Sequence, residues 1–77
     1  MINKDIFEGL PIDLKGDFVF SKGTFIDSRV YGFLKMALYK IDSFFVEVVY
    51  NIENNSIEDI IFISNKKVIR FYNYLSY

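Results

Sequence analysis

The segment from Tyr39 to Tyr50 constrains the fold more than any other part of this chain, because it reads as a β-hairpin with apolar residues on both faces. With Phe44-Phe45-Val46-Glu47-Val48-Val49-Tyr50 extended, Phe44, Val46, Val48 and Tyr50 point one way and Phe45, Glu47 and Val49 the other. One side makes a core. The other needs a second cover, supplied by the chain itself or by a partner.

The flanking residues extend the hairpin into a meander. Strands are predicted over about 24–30, 33–40, 44–50 and 57–63, with turns at Tyr31-Gly32, Ile41-Asp42-Ser43 and Glu53-Asn54-Asn55-Ser56. Ile57, Ile60 and Phe62 do not share one alternation, which predicts a bulge near Glu58-Asp59. Asn3 is placed to cap a short helix with Ile2, Ile6 and Leu10 on one side, ended by Gly9 and Pro11. Residues 12–16 then read as a connection and Asp17-Phe18-Val19-Phe20 as a short extended piece. After the last strand, Ser64 or Asn65 can cap a helix whose Val68, Phe71, Tyr72 and Leu75 recur at helical spacing. The expected fold is α+β in a single small domain over 1–77: an antiparallel meander of four strands, five if Asp17–Phe20 joins it, with the C-terminal helix on one face and a short N-terminal helix.

Register depends on which residues share a face, since a slip of one residue turns a core outward. Matching the apolar runs sets Leu34, Met36 and Leu38 against Tyr50, Val48 and Val46, which requires a three-residue loop at Ile41 to Ser43. On the reverse face this register places Tyr39 opposite Phe45 and Lys35 diagonal to Glu47. The pattern of Leu38-Tyr39, Phe44 to Val48, Tyr50, the Asn-rich turn and an isoleucine strand followed by a short helix resembles small uncharacterised bacterial proteins. That resemblance covers roughly the last fifty residues, implies the meander-then-helix order and carries no activity.

Composition narrows the function. With neither His nor Cys among the 77 residues, the common acid–base and thiol chemistries are absent, as are disulfides and the usual zinc, copper and haem ligand sets. The carboxylates Asp13, Asp17, Glu58 and Asp59 read as solvated turn and edge residues, and the glycines are too isolated to form a phosphate loop. We therefore expect no enzyme, metal or cofactor. Lys and Arg number nine against ten Asp and Glu, which argues against binding nucleic acid through a strongly basic surface. The start lacks a basic and apolar leader, and no apolar run approaches the ~18 residues that span a bilayer, so a cytoplasmic protein without a membrane anchor is expected. A core this small rarely supplies more than ~3–5 kcal/mol, and self-association is the remaining common support.

Two groups of residues stand out as candidate sites. The second sheet face, with Phe33, Lys35, Ala37 and Tyr39 on one strand and Phe45, Glu47 and Val49 on the next, has the make-up of a partner-binding surface. Tyr39 and Phe45 would be its anchors, and Lys35 and Glu47 would set register. The competing reading has the N-terminal helix covering that face as a second core layer. Lys66, Lys67 and Arg70 place cations where a helix dipole favours acids, which suggests an anion-binding cluster. The expected function is non-enzymatic protein binding, as an adaptor, inhibitor or immunity-type factor that forms a homodimer through the apolar face. The alternative is single-stranded nucleic acid or nucleotide binding, with bases stacked on Tyr39 and Phe45.

Overall fold

In the computed structural model, which describes residues 2–72, Asn3 caps helix α1 (Lys4–Glu8) by accepting the Ile6 N–H at 2.9 Å, and Gly9 ends the helix. Phe7 is the buried residue of α1, where its ring meets Phe18 and Phe44 at centroid distances of 6.2 and 5.6 Å. Ile6, expected on the inner side, is exposed, while Ile2 and Leu10 pack against the core from its rim.

Residues 12–22 depart from the expected connection and extended piece. They form helix α2 (Ile12–Lys22), and no fifth strand exists among the described residues. Apolar residues occur on several sides of α2, so no helical stripe announces it. What selects the helix is packing: Gly16 and Val19, three apart and therefore on one face, are both buried against the sheet. Local preference is a weak prior that such burial overrides.

Strands β1 (Thr24–Tyr31), β2 (Leu34–Ile41), β3 (Phe44–Asn51) and β4 (Ser56–Ile63) form one antiparallel sheet in the order β1-β2-β3-β4. Helix α3 (Asn65–Tyr72) comes next, with Ser64 as its cap: the Ser64 Oγ accepts the Lys67 N–H at 3.3 Å. The fold is thus the expected α+β meander with a short N-terminal helix and a C-terminal helix. The bulge falls where the alternation breaks, since Val49 pairs with Asp59 and Tyr50 with Ile57, leaving Glu58 as the extra residue. A second bulge leaves Ile26 unpaired in β1. At the last turn Asn55 adopts φ 59°, and Asn51 accepts the N–H groups of Glu53 and Asn54.

The register of the central hairpin corrects the expected one. Ile41 pairs with Phe44, so the loop is the two-residue Asp42-Ser43, and Tyr39 faces Val46 while Ala37 faces Val48. Asp42 takes φ 52°, and a positive φ at the first central residue is what a two-residue hairpin turn demands. The β1–β2 turn repeats the geometry, with Gly32 at φ 58° followed by Phe33, so β2 begins at Leu34.

One face therefore carries Ala37, Tyr39, Ile41, Phe44, Val46, Val48 and Ile60, covered by Phe7 of α1 and Val19 of α2. The other carries Leu38, Phe45 and Ile63, covered by Val68 and Tyr72 of α3. Leu75, expected to continue the α3 stripe, lies outside the described residues. Two glycines, one within α2 and one at its end, test this packing. A methyl group at Gly23 would stand 2.6 Å from the Val19 carbonyl oxygen, whereas one at Gly16 would meet Ile60, Ile57 and Phe20 at ordinary contact distances of 3.8–3.9 Å. Thermal unfolding followed by circular dichroism should show Gly23→Ala destabilised by about 1–3 kcal/mol. Gly16→Ala should instead be stabilised by about 0.5–1 kcal/mol, the helix-propensity difference.

Candidate functional site

The expected binding face is not one face. Lys35 and Tyr39 lie on the side covered by α1 and α2, while Phe45, Glu47 and Val49 lie on the α3 side. Phe33 sits in the β1–β2 turn, half exposed. Phe45, only 3 % exposed, belongs to the core with Leu38, Ile63, Val68 and Tyr72. Tyr39 and Phe45 thus stand on opposite sides of the sheet, and the diagonal pairing of Lys35 with Glu47 is replaced by another ion pair. The cause is the two-residue turn, whose parity moves every β3 side chain to the face opposite the one expected.

Glu47, also 3 % exposed, is the buried charge of the α3 side. Its Oε2 accepts from Arg29 Nε and Nη2, both at 3.3 Å, and from the Tyr72 hydroxyl. Arg29 in turn donates to the Tyr31 hydroxyl at 2.7 Å and lies over the Phe71 ring at 4.2 Å from its centroid. Strands β1 and β3 and helix α3 meet in this cluster. Burial opposes the charge of Arg29, but its hydrogen bond with Tyr72 and the Glu47 carboxylate outweigh that and raise its pKa. Burial, followed by the hydrogen bond to Glu47, pushes the Tyr72 phenol well above the ordinary tyrosine range, against a smaller opposing effect of Arg29. A buried charge with several donors is a positioning device: it tolerates one arrangement of α3 on the sheet and penalises others.

The surface opposite α3 is where apolar groups remain uncovered. Helix α2 packs against β2 and β4, and the β1 residues on this side, Phe25 and Val30, are each more than half exposed. Half-buried Tyr39 links Phe25 to α2, while Val30 lies farther along β1 opposite Lys35. The Tyr39 ring makes edge contacts with Phe20 of α2 at 5.8 Å and with Phe25 at 5.6 Å, and Phe20 is more than half exposed as well. Lys35, paired with Val30 on β1, lies at the far end of the strip. Tyr39 and Lys35 are thus the members of the expected surface that this strip retains. Sequence reasoning misses Phe20, Phe25, Val30 and Arg29. Phe20 sits in a stretch with no helical stripe, and the mixed alternation of β1 does not say which of its residues share a face with Tyr39.

The remaining sequence candidates have separate places. Lys66 and Lys67 occupy the first turn of α3 and Arg70 the last, all exposed, and they form no ion pair among the described residues. Asp13 and Asp17 line a shallow depression with Tyr50 and Asn55. Glu58 accepts from Asn51 at 2.9 Å. Among the described residues, no three side chains of the metal-ligating types come together, and no helix is long and apolar enough to cross a membrane. The chain matches no protein-family model, no curated protein and no solved structure.

The Tyr72 phenol loses its proton at a higher pH in the folded protein than in the unfolded chain. Its contribution to stability is therefore whole below about pH 10 and declines as pH rises beyond that value. Denaturant unfolding from about pH 8 to 11 should show a steeper alkaline loss for the parent than for Tyr72→Phe. In the same assay at neutral pH, Arg29→Met should cost about 2–4 kcal/mol, because it leaves a buried carboxylate short of donors.

Proposed function

We propose that this domain is a non-enzymatic protein-binding module that associates with a second copy of itself through the strip formed by Phe20, Phe25, Val30 and Tyr39. The observation that carries the reading is the exposure of Phe20 and Phe25, each more than half accessible, against the half-buried ring of Tyr39, with Val30 equally exposed farther along β1. Covering the exposed half of one such aromatic ring removes about 100 Å² of apolar surface, which is worth about 2–3 kcal/mol. Two or three anchors of that size are what an interface hot spot consists of.

The shape of the molecule supports the same reading. The described residues form a slab of 34 × 33 × 17 Å, so little of the chain is far from solvent and the internal core is correspondingly small. With no cysteine to staple it, association is the physical means left for burying more apolar area. Lys35 at one end of the strip supplies the polar border that gives an apolar contact its orientation. Adaptor, inhibitor and immunity-type roles are all uses of such a module. A base-stacking surface built on Tyr39 and Phe45 has no geometric support, because the sheet separates the two rings.

The test is the solution mass across a dilution series. The parent is expected to be a dimer that dissociates on dilution, and Phe25→Asp a monomer at every concentration with a native circular dichroism spectrum. A parent that is monomeric throughout, or a Phe25→Asp variant that still dimerises, would refute the strip as the contact.

A further inference from the structure

Both outer strands of the sheet carry the same local device. In β1 the bulge at Ile26 is followed by Asp27, whose Oδ1 accepts the N–H of Ser28 at 2.7 Å. In β4 the bulge at Glu58 is followed by Asp59, whose Oδ1 accepts the N–H of Ile60 at 2.9 Å. The two inner strands show no such bond among the described residues.

The ladder explains why those two amides are available. Residues flanking a two-residue turn form a hydrogen-bonded pair, and such pairs recur at every second position. Ile41 and Phe44 flank Asp42-Ser43, so Phe44, Val46 and Val48 direct their backbone groups to β2, while Phe45, Glu47 and Val49 direct theirs to β4. Their β4 partners Ile63, Ile61 and Asp59 point inward, which leaves the N–H and C=O of Ile60 and Phe62 facing out. By the same count from the Tyr31 and Leu34 pair, Ser28 and Val30 face out on β1. Each aspartate therefore occupies an outward N–H that an added strand would need.

The two edges differ in what lies beside the block. In both strands the bulge lies two residues before the blocked amide and regular pairing follows it, but on β1 the charged Arg29 stands next to Ser28. On β4 the stretch from Asp59 to Ile63 is regular and, apart from Asp59, uncharged. It is also self-complementary. An antiparallel pairing about a two-fold axis at Ile61 sets Ile60 opposite Phe62 of the second copy. Both have outward backbone groups, and their side chains share a face. In that register Ile60 and Phe62 of the two copies exchange four hydrogen bonds, two of which need the Ile60 N–H that Asp59 holds.

We propose that the outer edge of β4 is a strand-addition surface for a second copy of this chain, kept closed by the Asp59 carboxylate. This deepens the self-association reading, on which it rests, by adding a second surface that is latent while the apolar strip is open. A charged residue and a bulge are the usual guards of an edge strand, and here they stand together at the start of an apolar run whose Phe62 ring has the Lys4 Nζ 4.0 Å from its centroid. Withdrawal of the carboxylate would join two four-stranded sheets into one.

The experiment compares Asp59→Ala and Asp27→Ala, each in the parent and in the Phe25→Asp background, which removes contacts through the strip. Sedimentation gives the mass, and hydrogen exchange reports the Ile60 and Phe62 amides. In the Phe25→Asp background, Asp59→Ala should double the mass and slow exchange at Ile60 and Phe62 by about tenfold or more. Asp27→Ala should stay monomeric, and adding Ile61→Lys to Asp59→Ala should restore the monomer. Unchanged mass for a folded Asp59→Ala, a doubled mass without protection at those two amides, or an equal response from Asp27→Ala would each overturn the proposal. Asp59→Ser serves as a second variant, read by the same criteria, should Asp59→Ala fold poorly. A Phe25→Asp background that leaves dimerisation intact while Asp59→Ala still gains amide protection would refute the strip and uphold the edge.

Discussion

A two-residue turn at Asp42-Ser43 makes Ile41 and Phe44 direct partners, and from that pair the identity of both sheet faces is settled by alternation alone. The cost is a positive φ at Asp42, which an aspartate bears better than most residues because its short polar side chain bonds to nearby backbone. One more residue in this loop would send Glu47 to the side of Phe7 and Val19, away from Arg29, and would turn Val46 and Val48 toward α3. The same count also determines which backbone groups of β1 and β4 face outward.

The two faces are stabilised by different physics. Under α1 and α2 the core is apolar, and aromatic contacts between Phe7, Phe18 and Phe44 fill the space between helices and sheet. Under α3 the apolar cluster is smaller and a charge is buried beside it, so the helix is positioned by the convergence of Arg29 and Tyr72 on Glu47. Such a cluster contributes less to net stability than an apolar one of the same size, but it discriminates strongly between docking geometries. This suits a helix of only eight described residues, which has too little apolar area to define its own placement.

Incomplete cover explains the exposed apolar strip. The α1 and α2 layer reaches over β2, β3 and β4, leaving Phe25 of β1 exposed beside Phe20 and Tyr39, and Val30 exposed farther along the strand. A sheet of four strands is wider than this short helical layer, so one margin remains apolar and open. At the sheet edges the opposite holds: an outward amide of each outer strand is already bonded, to Asp27 in β1 and to Asp59 in β4.

Several elements are legible in the sequence because their signals are local. The Asn3 cap, the Asn-rich turn, the Ser64 cap and the broken alternation of Ile57, Ile60 and Phe62 each depend on a few neighbouring residues, and each appears where those residues stand. Matching Leu34, Met36 and Leu38 to Tyr50, Val48 and Val46 is an equally consistent apolar pairing, since β3 is apolar on both sides. Hydrophobic alternation therefore has no power to choose between a two- and a three-residue loop. With the other parity, Tyr39 and Phe45 become neighbours and Arg29 has no visible partner. Helix α2 is hidden for a related reason: Asp17 to Phe20 suits a strand locally, and only the burial of Gly16 and Val19 against the sheet makes it helical. The order of the four meander strands, the caps and the bulge in β4 are thus written in the chain itself, because backbone preference and short-range hydrogen bonding act within a few residues. The face that each β3 side chain occupies, the helix that covers it and the groups left exposed are settled in three dimensions alone, because they depend on one turn geometry and on packing between segments far apart in the chain.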